Sequence, residues 1–378
     1  MIYHISTFLI GRSAFAGESM SGLDVKAGGN VEETVNGILS VAAEEVDIAD
    51  AQRLVASHYG ITGQASRLTS ERDQNFRISA EDGREYALKI SNPAEHPSIN
   101  DFQVSALIHV AAVDPGLPVP RVLAALDGQS HLRLPFAENR MRGVRLLSYL
   151  PGVPLYTVER TAAQRRQLAA LLARLGLALR GFFHGAAGHD LAWDIKNASR
   201  LRALLAHIPD AERRRTAQHF LDNFELHAQP LLPRLRAQVV HNDLNPHNVL
   251  VDPGHHDRIA GILDFGDMVH TPLVNDVAVG ASYHMNGAGD PWEAVAEFVA
   301  SYHAVSPLER EEVDLLFDLI AARFVLTVTI TGWRAMRYPE NSAYILKNNA
   351  GAWSGLTYLR TLPRDTAQAR LRIACNLE

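Results

Sequence analysis

The chain has 378 residues, of which 47% are hydrophobic and 21% charged, an ordinary globular composition long enough for two core-bearing lobes. Its formal net charge of -6, with Lys and Arg spread rather than clustered, offers no field that would attract nucleic acid, so none is expected as a partner. The single cysteine, Cys375, excludes an internal disulfide and a cysteine-based zinc site, and it fits a reducing, cytoplasmic setting.

In chain order, residues 1–23 contain the apolar run Ile5–Ile10 and the tripeptide Ala14-Phe15-Ala16. No basic segment precedes the run, so it reads as an upstream extension rather than an export signal. Residues 1–46 are expected to be that extension, poorly ordered. From Asp47, the spacing of Ile48, Ala51, Leu54 and Val55 before Gly60 predicts an amphipathic helix stopped by glycine. Strands are expected over residues 74–79 and 84–90, joined by Glu81-Asp82-Gly83, whose Asp-Gly pair is a hairpin signal. Lys89 then lies near a strand end. A helix over 98–113 follows, then two strands around Asp127-Gly128 and another over 143–149 that stops at Pro151-Gly152.

Beyond residue 150 helices dominate: 164–183, 199–207, 211–227, 292–303 and 311–331. In the last, Val313, Phe317, Ile320 and Phe324 form a core-facing stripe. The apolar stretch Ala321–Ile330 is broken by Arg323, and no segment reaches the roughly 18 uncharged apolar residues of a membrane span, so no membrane partner is expected. Short apolar runs at 238–240, 249–251 and 259–263 read as strands interrupting the helices. The expected organisation is α+β and bilobal: a β-rich N-terminal lobe over 47–149 with one inserted helix, and a mainly helical C-terminal lobe over 150–378.

The chemistry sits on loops between those last strands. Val240-His241-Asn242-Asp243-Leu244-Asn245-Pro246-His247-Asn248 puts an Asp and an Asn five residues apart, and Leu263-Asp264-Phe265-Gly266-Asp267 follows. The pattern is His-x-Asp-x-x-x-x-Asn, then Asp-Phe-Gly. Phosphoryl transfer needs a carboxylate to orient the attacking hydroxyl and accept its proton, and oxygen ligands for magnesium on the phosphates. Asp243 fits the first need, and Asn248 and Asp264 fit the second, since hard oxygen ligands suit Mg2+. His255, His256 and His247 lack zinc-site spacing.

Lys89, in Tyr86-Ala87-Leu88-Lys89-Ile90, resembles the strand lysine with which kinases reach the α- and β-phosphates. With that lysine and the two loops in order, residues 47 to about 335 resemble the aminoglycoside phosphotransferase family. His-Asn-Asp-Leu-Asn-Pro-His-Asn-Val-Leu stands here for the family's usual His-Gly-Asp-Leu-His-Pro-Gly-Asn-Val-Leu. Within the family, the nearest likeness is to the hydroxylysine kinase branch. It runs through Asp73-Gln74-Asn75-Phe76, Leu88-Lys89-Ile90-Ser91-Asn92-Pro93, Asp101-Phe102-Gln103, residues 115–120, and His184 to Gly188 before Trp193-Asp194. The resemblance implies a protein kinase-like fold and transfer of a phosphate from ATP or GTP to a small amino-bearing alcohol or amino acid, first among them 5-hydroxy-L-lysine. Aminoglycoside, homoserine or choline kinase activity, or an inactive nucleotide-binding regulatory module, are the alternatives. It also implies purine contacts at Ser148 and Leu150 in the segment joining the lobes, and support of the Asp243 loop by His241 and Asp276. His184 and Asp194 read equally as substrate-facing residues or as helix-end caps.

Two departures stand out. The phosphate-covering loop, Ser70-Glu71-Arg72-Asp73-Gln74-Asn75, has no glycine to bring its backbone close to phosphate, and Glu71 and Asp73 would repel phosphate if turned inward. Gln103 stands where the family's glutamate pairs the strand lysine, leaving Asp101 or Glu95 as substitutes.

Overall fold

The computed structural model describes residues 45–70, 72–285 and 289–378. The expected extension, up to residue 44, and Glu71 lie outside them. The first helix, α1 (Ile48–Tyr59), is capped by the Asp47 side chain accepting from the Asp50 N–H, and it ends at Gly60 in the left-handed region (φ 67°). Three antiparallel strands follow: β1 (Gly63–Leu68), β2 (Gln74–Ala80) and β3 (Glu85–Ile90), the last two joined through Gly83 at φ 83°. Helix α2 (Pro97–Val113) precedes β4 (Val122–Leu123), β5 (Leu132–Pro135) and β6 (Met141–Ser148). The six strands form one sheet, ordered β1-β2-β3-β6-β4, with β5 also on β6. The strands expected around Gly128 therefore do not pair with each other; each borrows β6 as its partner.

Strand alternation decides what this sheet offers to each side. Tyr86, Leu88 and Ile90 pack with Phe76, Ile78, Val144 and Leu146 against Ala51, Val55 and Tyr59 of α1. Ala87 and Lys89, one residue out of phase, therefore face the opposite way, into the interlobe cleft. Helix α2 lies on that side and joins the larger core through Phe102, Ala106, Leu107 and Val110, which ties the lobes together.

The C-terminal lobe is a helical body around one long helix. After β7 (Val153–Pro154) come α3 (Ala162–Leu179), a 3₁₀ helix (Ile195–His207) and α4 (Ala211–Asn223), which runs on as π-helix through Ala228. Strands β8 (Ala237–Val240), β9 (Val249–Val251), β10 (Ile259–Ile262) and β11 (Val269–Pro272) lead into α5 (Leu273–Ser282), α6 (Pro291–His303) and α7 (Arg310–Arg337). Helices α8 (Ser342–Ile345), α9 (Asn349–Leu359) and α10 (Arg364–Ala374) complete the chain. The 28 residues of α7 are buried almost continuously from Leu315 to Thr331. Among the described residues, no helix is long and apolar enough to cross a membrane.

Candidate active site

Strand pairing brings the two chemistry-bearing loops together. β8 pairs with β11, Val240 opposite Val269, and β9 pairs with β10, Val249 opposite Ile262. The loop 241–248 leaves β8 for β9, and the loop 263–268 leaves β10 for β11. Paired at both ends, they must lie side by side, and the Leu263 N–H donates to the Asn248 carbonyl at 2.7 Å. Both open into a cleft of about 1070 Å³ between the lobes, which Lys89 enters from above.

The Asp243 carboxylate is gripped on both oxygens. Oδ2 accepts from the side-chain amides of Asn248 at 2.7 Å and Asn245 at 2.9 Å, while Oδ1 accepts from Arg323 Nη2 at 3.2 Å. Burial, reinforced by the nearby negative charge of Asp267, pushes its pKa up to about 6, with Arg323 and Asn245 opposing. A carboxylate so placed is ionised at neutral pH yet basic enough to take a hydroxyl proton.

His241 and Asp276 brace this loop by separate routes. The Asp243 N–H donates to His241 Nδ1 at 3.2 Å, so the ring proton sits on Nε2, which donates to the Leu263 carbonyl at 2.9 Å. His241 thus spans the two loops with both nitrogens spent. Asp276, on α5, accepts the backbone N–H of Asn242 at 2.7 Å and of His241 at 3.4 Å. Asn242, standing where the resemblance has glycine, adopts φ 63°, a left-handed conformation that asparagine tolerates better than most residues. Its buried amide has no hydrogen-bond partner among the described residues.

Asp264, also left-handed at φ 56°, has its carboxyl held far below the ordinary range, chiefly by Lys89 and then by Arg72. Lys89 Nζ lies 3.7 Å from Asp264 Oδ1. Asn248 spends its amide nitrogen on Asp243, which leaves its oxygen for other work. One ionised carboxylate and one amide oxygen suit Mg2+, which keeps several waters and takes its remaining ligands from substrate phosphates. Among the described residues, no group of three or more His, Cys, Asp or Glu side chains is placed to form a closed metal cage.

The segment between the lobes is more committed than expected. The Ser148 N–H donates to the Arg121 carbonyl, and its hydroxyl accepts the Arg121 N–H, so that amide is not open to a purine. Ser148 and Leu150 both line the cleft. Gln103 does not face the lysine. It accepts at 2.8 Å from Arg145, which stands directly opposite Lys89 across the β3–β6 register and is also held by Asn100 and by Asp73 at 3.1 Å. Asp73, which lines the cleft, is therefore held in an ion pair. Asp101 pairs with His184 Nε2 at 3.0 Å, outside the cleft lining, and Asp194, also outside it, caps the 3₁₀ helix while accepting from Thr271. Glu95 is the buried carboxylate left near the cations Arg145, Arg72 and Lys89.

Besides Arg145, two groups at the site have no signal in the sequence pattern. Arg323 entered it only as an interruption of an apolar run, but it reaches Asp243, the Trp193 carbonyl (3.2 Å) and the Tyr283 hydroxyl (3.4 Å) from the middle of α7. Arg72 crosses the cleft to Asp267 at 2.8 Å. Neither has a local signal, because each acts on residues far along the chain.

Residues 64–316 match the model of the phosphotransferase enzyme family. The chain belongs to that family. It is a small-molecule kinase with the bilobal, protein kinase-like architecture. Hydroxylysine kinase from Mus musculus is 29% identical over 336 residues, covering 82% of this chain and 88% of the relative. The Xenopus laevis hydroxylysine kinase is 28% identical over 342 residues, covering 84% and 91%. Among solved structures, a microcompartment-associated aminopropanol kinase superposes with a TM-score of 0.64 at 20% identity, covering 83% of this chain and 98% of that one. Amicoumacin kinase hAmiN in complex with AMP-PNP, Ca2+ and Ami also gives 0.64, at 16% identity over 84% and 95%. At these identities the structural likeness carries the fold alone.

Proposed function

We propose that this kinase transfers the γ-phosphate of magnesium-bound ATP or GTP to a hydroxyl of an amino-bearing acceptor, with 5-hydroxy-L-lysine the first choice. The observation that carries the reading is Asp243, a carboxylate of pKa about 6 fixed on both oxygens at the floor of a cleft that Lys89, Asn248 and Asp264 share. In this reading Asp243 orients the acceptor hydroxyl and takes its proton. The oxygen–phosphorus bond forms as the bond to the β,γ-bridging oxygen breaks, and that electron pair leaves with the diphosphate. Lys89 holds the α- and β-phosphates. Asn248 and Asp264 would hold Mg2+, which screens phosphate charge when bound, and the Leu150 backbone would meet the purine.

Support for the acceptor comes from the two curated relatives named above and from the far wall of the cleft. Asp190, paired with Arg200, and Asp267, paired with Arg72, line it together with Arg334 and Lys347, so side chains of both signs border the cleft. The test is nucleotide consumption with ATP and with GTP across hydroxylysine, homoserine, choline and kanamycin. Stimulation by hydroxylysine above the others is expected, and Asp243→Asn should lose it while still binding nucleotide. Equal indifference to every acceptor would sink the reading in favour of a non-catalytic nucleotide-binding protein.

A further inference from the structure

The loop between β1 and β2 borders the cleft without a single glycine, yet it sends one cation, Arg72, into it. Arg72 Nη2 lies 2.8 Å from Asp267 Oδ1. The guanidinium rests directly on the Gly266 backbone: a Cβ built there would lie 2.6 Å from Arg72 Nη2 and 3.0 Å from Asp264 Oδ1. Arg72 also helps hold the Asp264 carboxyl ionised, second among the cations after Lys89. The neighbouring residue is anchored, since Asp73 is tied to Arg145 on β6 at 3.1 Å, so the loop root is fixed while the arginine reaches across. Its side chain keeps 30% exposure to the cleft, enough to meet a ligand.

We infer that Arg72 is a catalytic residue that places its guanidinium on the transferring phosphate, doing with a long cationic side chain what a glycine-rich loop does with backbone N–H groups. This inference rests on the reading of the cleft as the nucleotide site. A guanidinium is permanently charged and forked, and so matches two oxygens of a phosphoryl group. Asp267 holds it beside Gly266, next to the Asp264 carboxylate. When the terminal phosphate enters, its oxygens compete with Asp267 for the fork. As the acceptor oxygen–phosphorus bond forms and the bond to the bridging oxygen breaks, negative charge spreads over the transferring group and the departing diphosphate. The acceptor proton goes to Asp243, and Arg72 meets the charge on the oxygens of the transferring phosphoryl group. The rival account is that the Arg72–Asp267 pair only latches the two lobes.

The experiment compares wild type with Arg72→Ala, Arg72→Gln and Arg72→Lys, using calorimetric titration with ADP and with AMP-PNP in Mg2+ beside kcat and KM. If Arg72 serves the terminal phosphate, Arg72→Gln lowers kcat by roughly 10²–10³-fold. The preference for AMP-PNP over ADP should fall about tenfold, corresponding to about 1.4 kcal/mol. ADP affinity should hold within about twofold, and Arg72→Lys should recover part of the turnover. Unchanged kcat with an unchanged AMP-PNP-to-ADP ratio in Arg72→Gln overturns the inference. Equal loss of affinity for both nucleotides overturns it too, because a latch is blind to the third phosphate. If Arg72→Ala does not fold, the Gln and Lys variants, which keep a longer polar side chain, decide the matter. Failure of the wild-type protein to bind ADP would instead refute the nucleotide reading of the cleft, and the inference with it.

Discussion

Arg323 and Asp243 stand 80 positions apart in the chain and 3.2 Å apart in space. Arg323 is 2% exposed, lies over the Trp193 ring at 5.3 Å, and donates to the Trp193 carbonyl and the Tyr283 hydroxyl. A buried cation without an anion is costly, so the helix spine and the loop that carries Asp243 hold each other in place.

This pair sets a pH dependence. Asp243 must be ionised to accept a proton, and burial raises its pKa to about 6, so kcat/KM should fall as pH drops through about 6. Arg323 favours the ionised form and therefore lowers that pKa. In Arg323→Gln the acid limb should move to higher pH, with turnover at pH 6 reduced more than at pH 8. Profiles of kcat/KM from pH 5 to 9 for both proteins check this; a limb that stays put or moves down contradicts it.

Asp276 satisfies two buried backbone N–H groups at the root of the catalytic loop. In Asp276→Ala both lose their acceptor, at a cost of about 2–4 kcal/mol in stability, seen as a lower urea midpoint. The left-handed turn at Asn242 is then released, and kcat should fall while KM for nucleotide changes little, because Lys89 lies on the other lobe.

Lys89 is the largest influence holding Asp264 ionised. Lys89→Met should weaken nucleotide binding by about tenfold, consistent with loss of one charge-assisted contact of about 1.4 kcal/mol. A carboxyl in its ordinary range titrates well below pH 6, so Asp264 should stay ionised in both proteins and the Mg2+ needed for half-maximal rate should show the same pH dependence in each. Magnesium titrations of the two proteins at pH 6 and pH 8 measure it.

His284 is buried against Phe298 with ring centroids 4.8 Å apart, and burial, helped by Arg160 and Arg165, drives its pKa well below the ordinary value. The unfolded chain takes up this proton below about pH 6.5 and the folded chain does not, so stability falls as pH drops through that region, by up to about 1.4 kcal/mol per pH unit. His284→Met removes this contribution. Its thermal midpoint should decline less than that of the wild type between pH 7 and 5.5.

Periodic signals carried much of the fold. The α1 stripe with its glycine stop, the Asp-Gly hairpin and the α7 stripe are local properties; the first two appear within a few residues of their expected bounds, and α7 begins where expected but runs six residues further, to Arg337. β7 and β11 were illegible because strands of two and four residues exist only through their partners. Helix α9 was hidden by its glycines, yet one of them is needed: a Cβ on Gly355 would lie 2.4 Å from the Phe324 ring of α7. At the site, the Asp243, Asn248 and Asp264 spacing was readable because one pair of adjacent loops carries it. Arg72, Arg145 and Arg323 were not, since surface and buried arginines look alike until their anions are placed opposite them.

One face of α7 extends past Arg323 along the cleft, presenting Thr327, Ile330, Thr331 and Arg334 at helical spacing. The nucleotide groups proposed here stand on the sheet of the other lobe and on the two loops, apart from that face. On the proposed function, acceptor preference and phosphate chemistry would therefore fall on different elements of the chain. A library confined to positions 327, 330, 331 and 334 would explore new alcohols without disturbing the machinery that moves the phosphate.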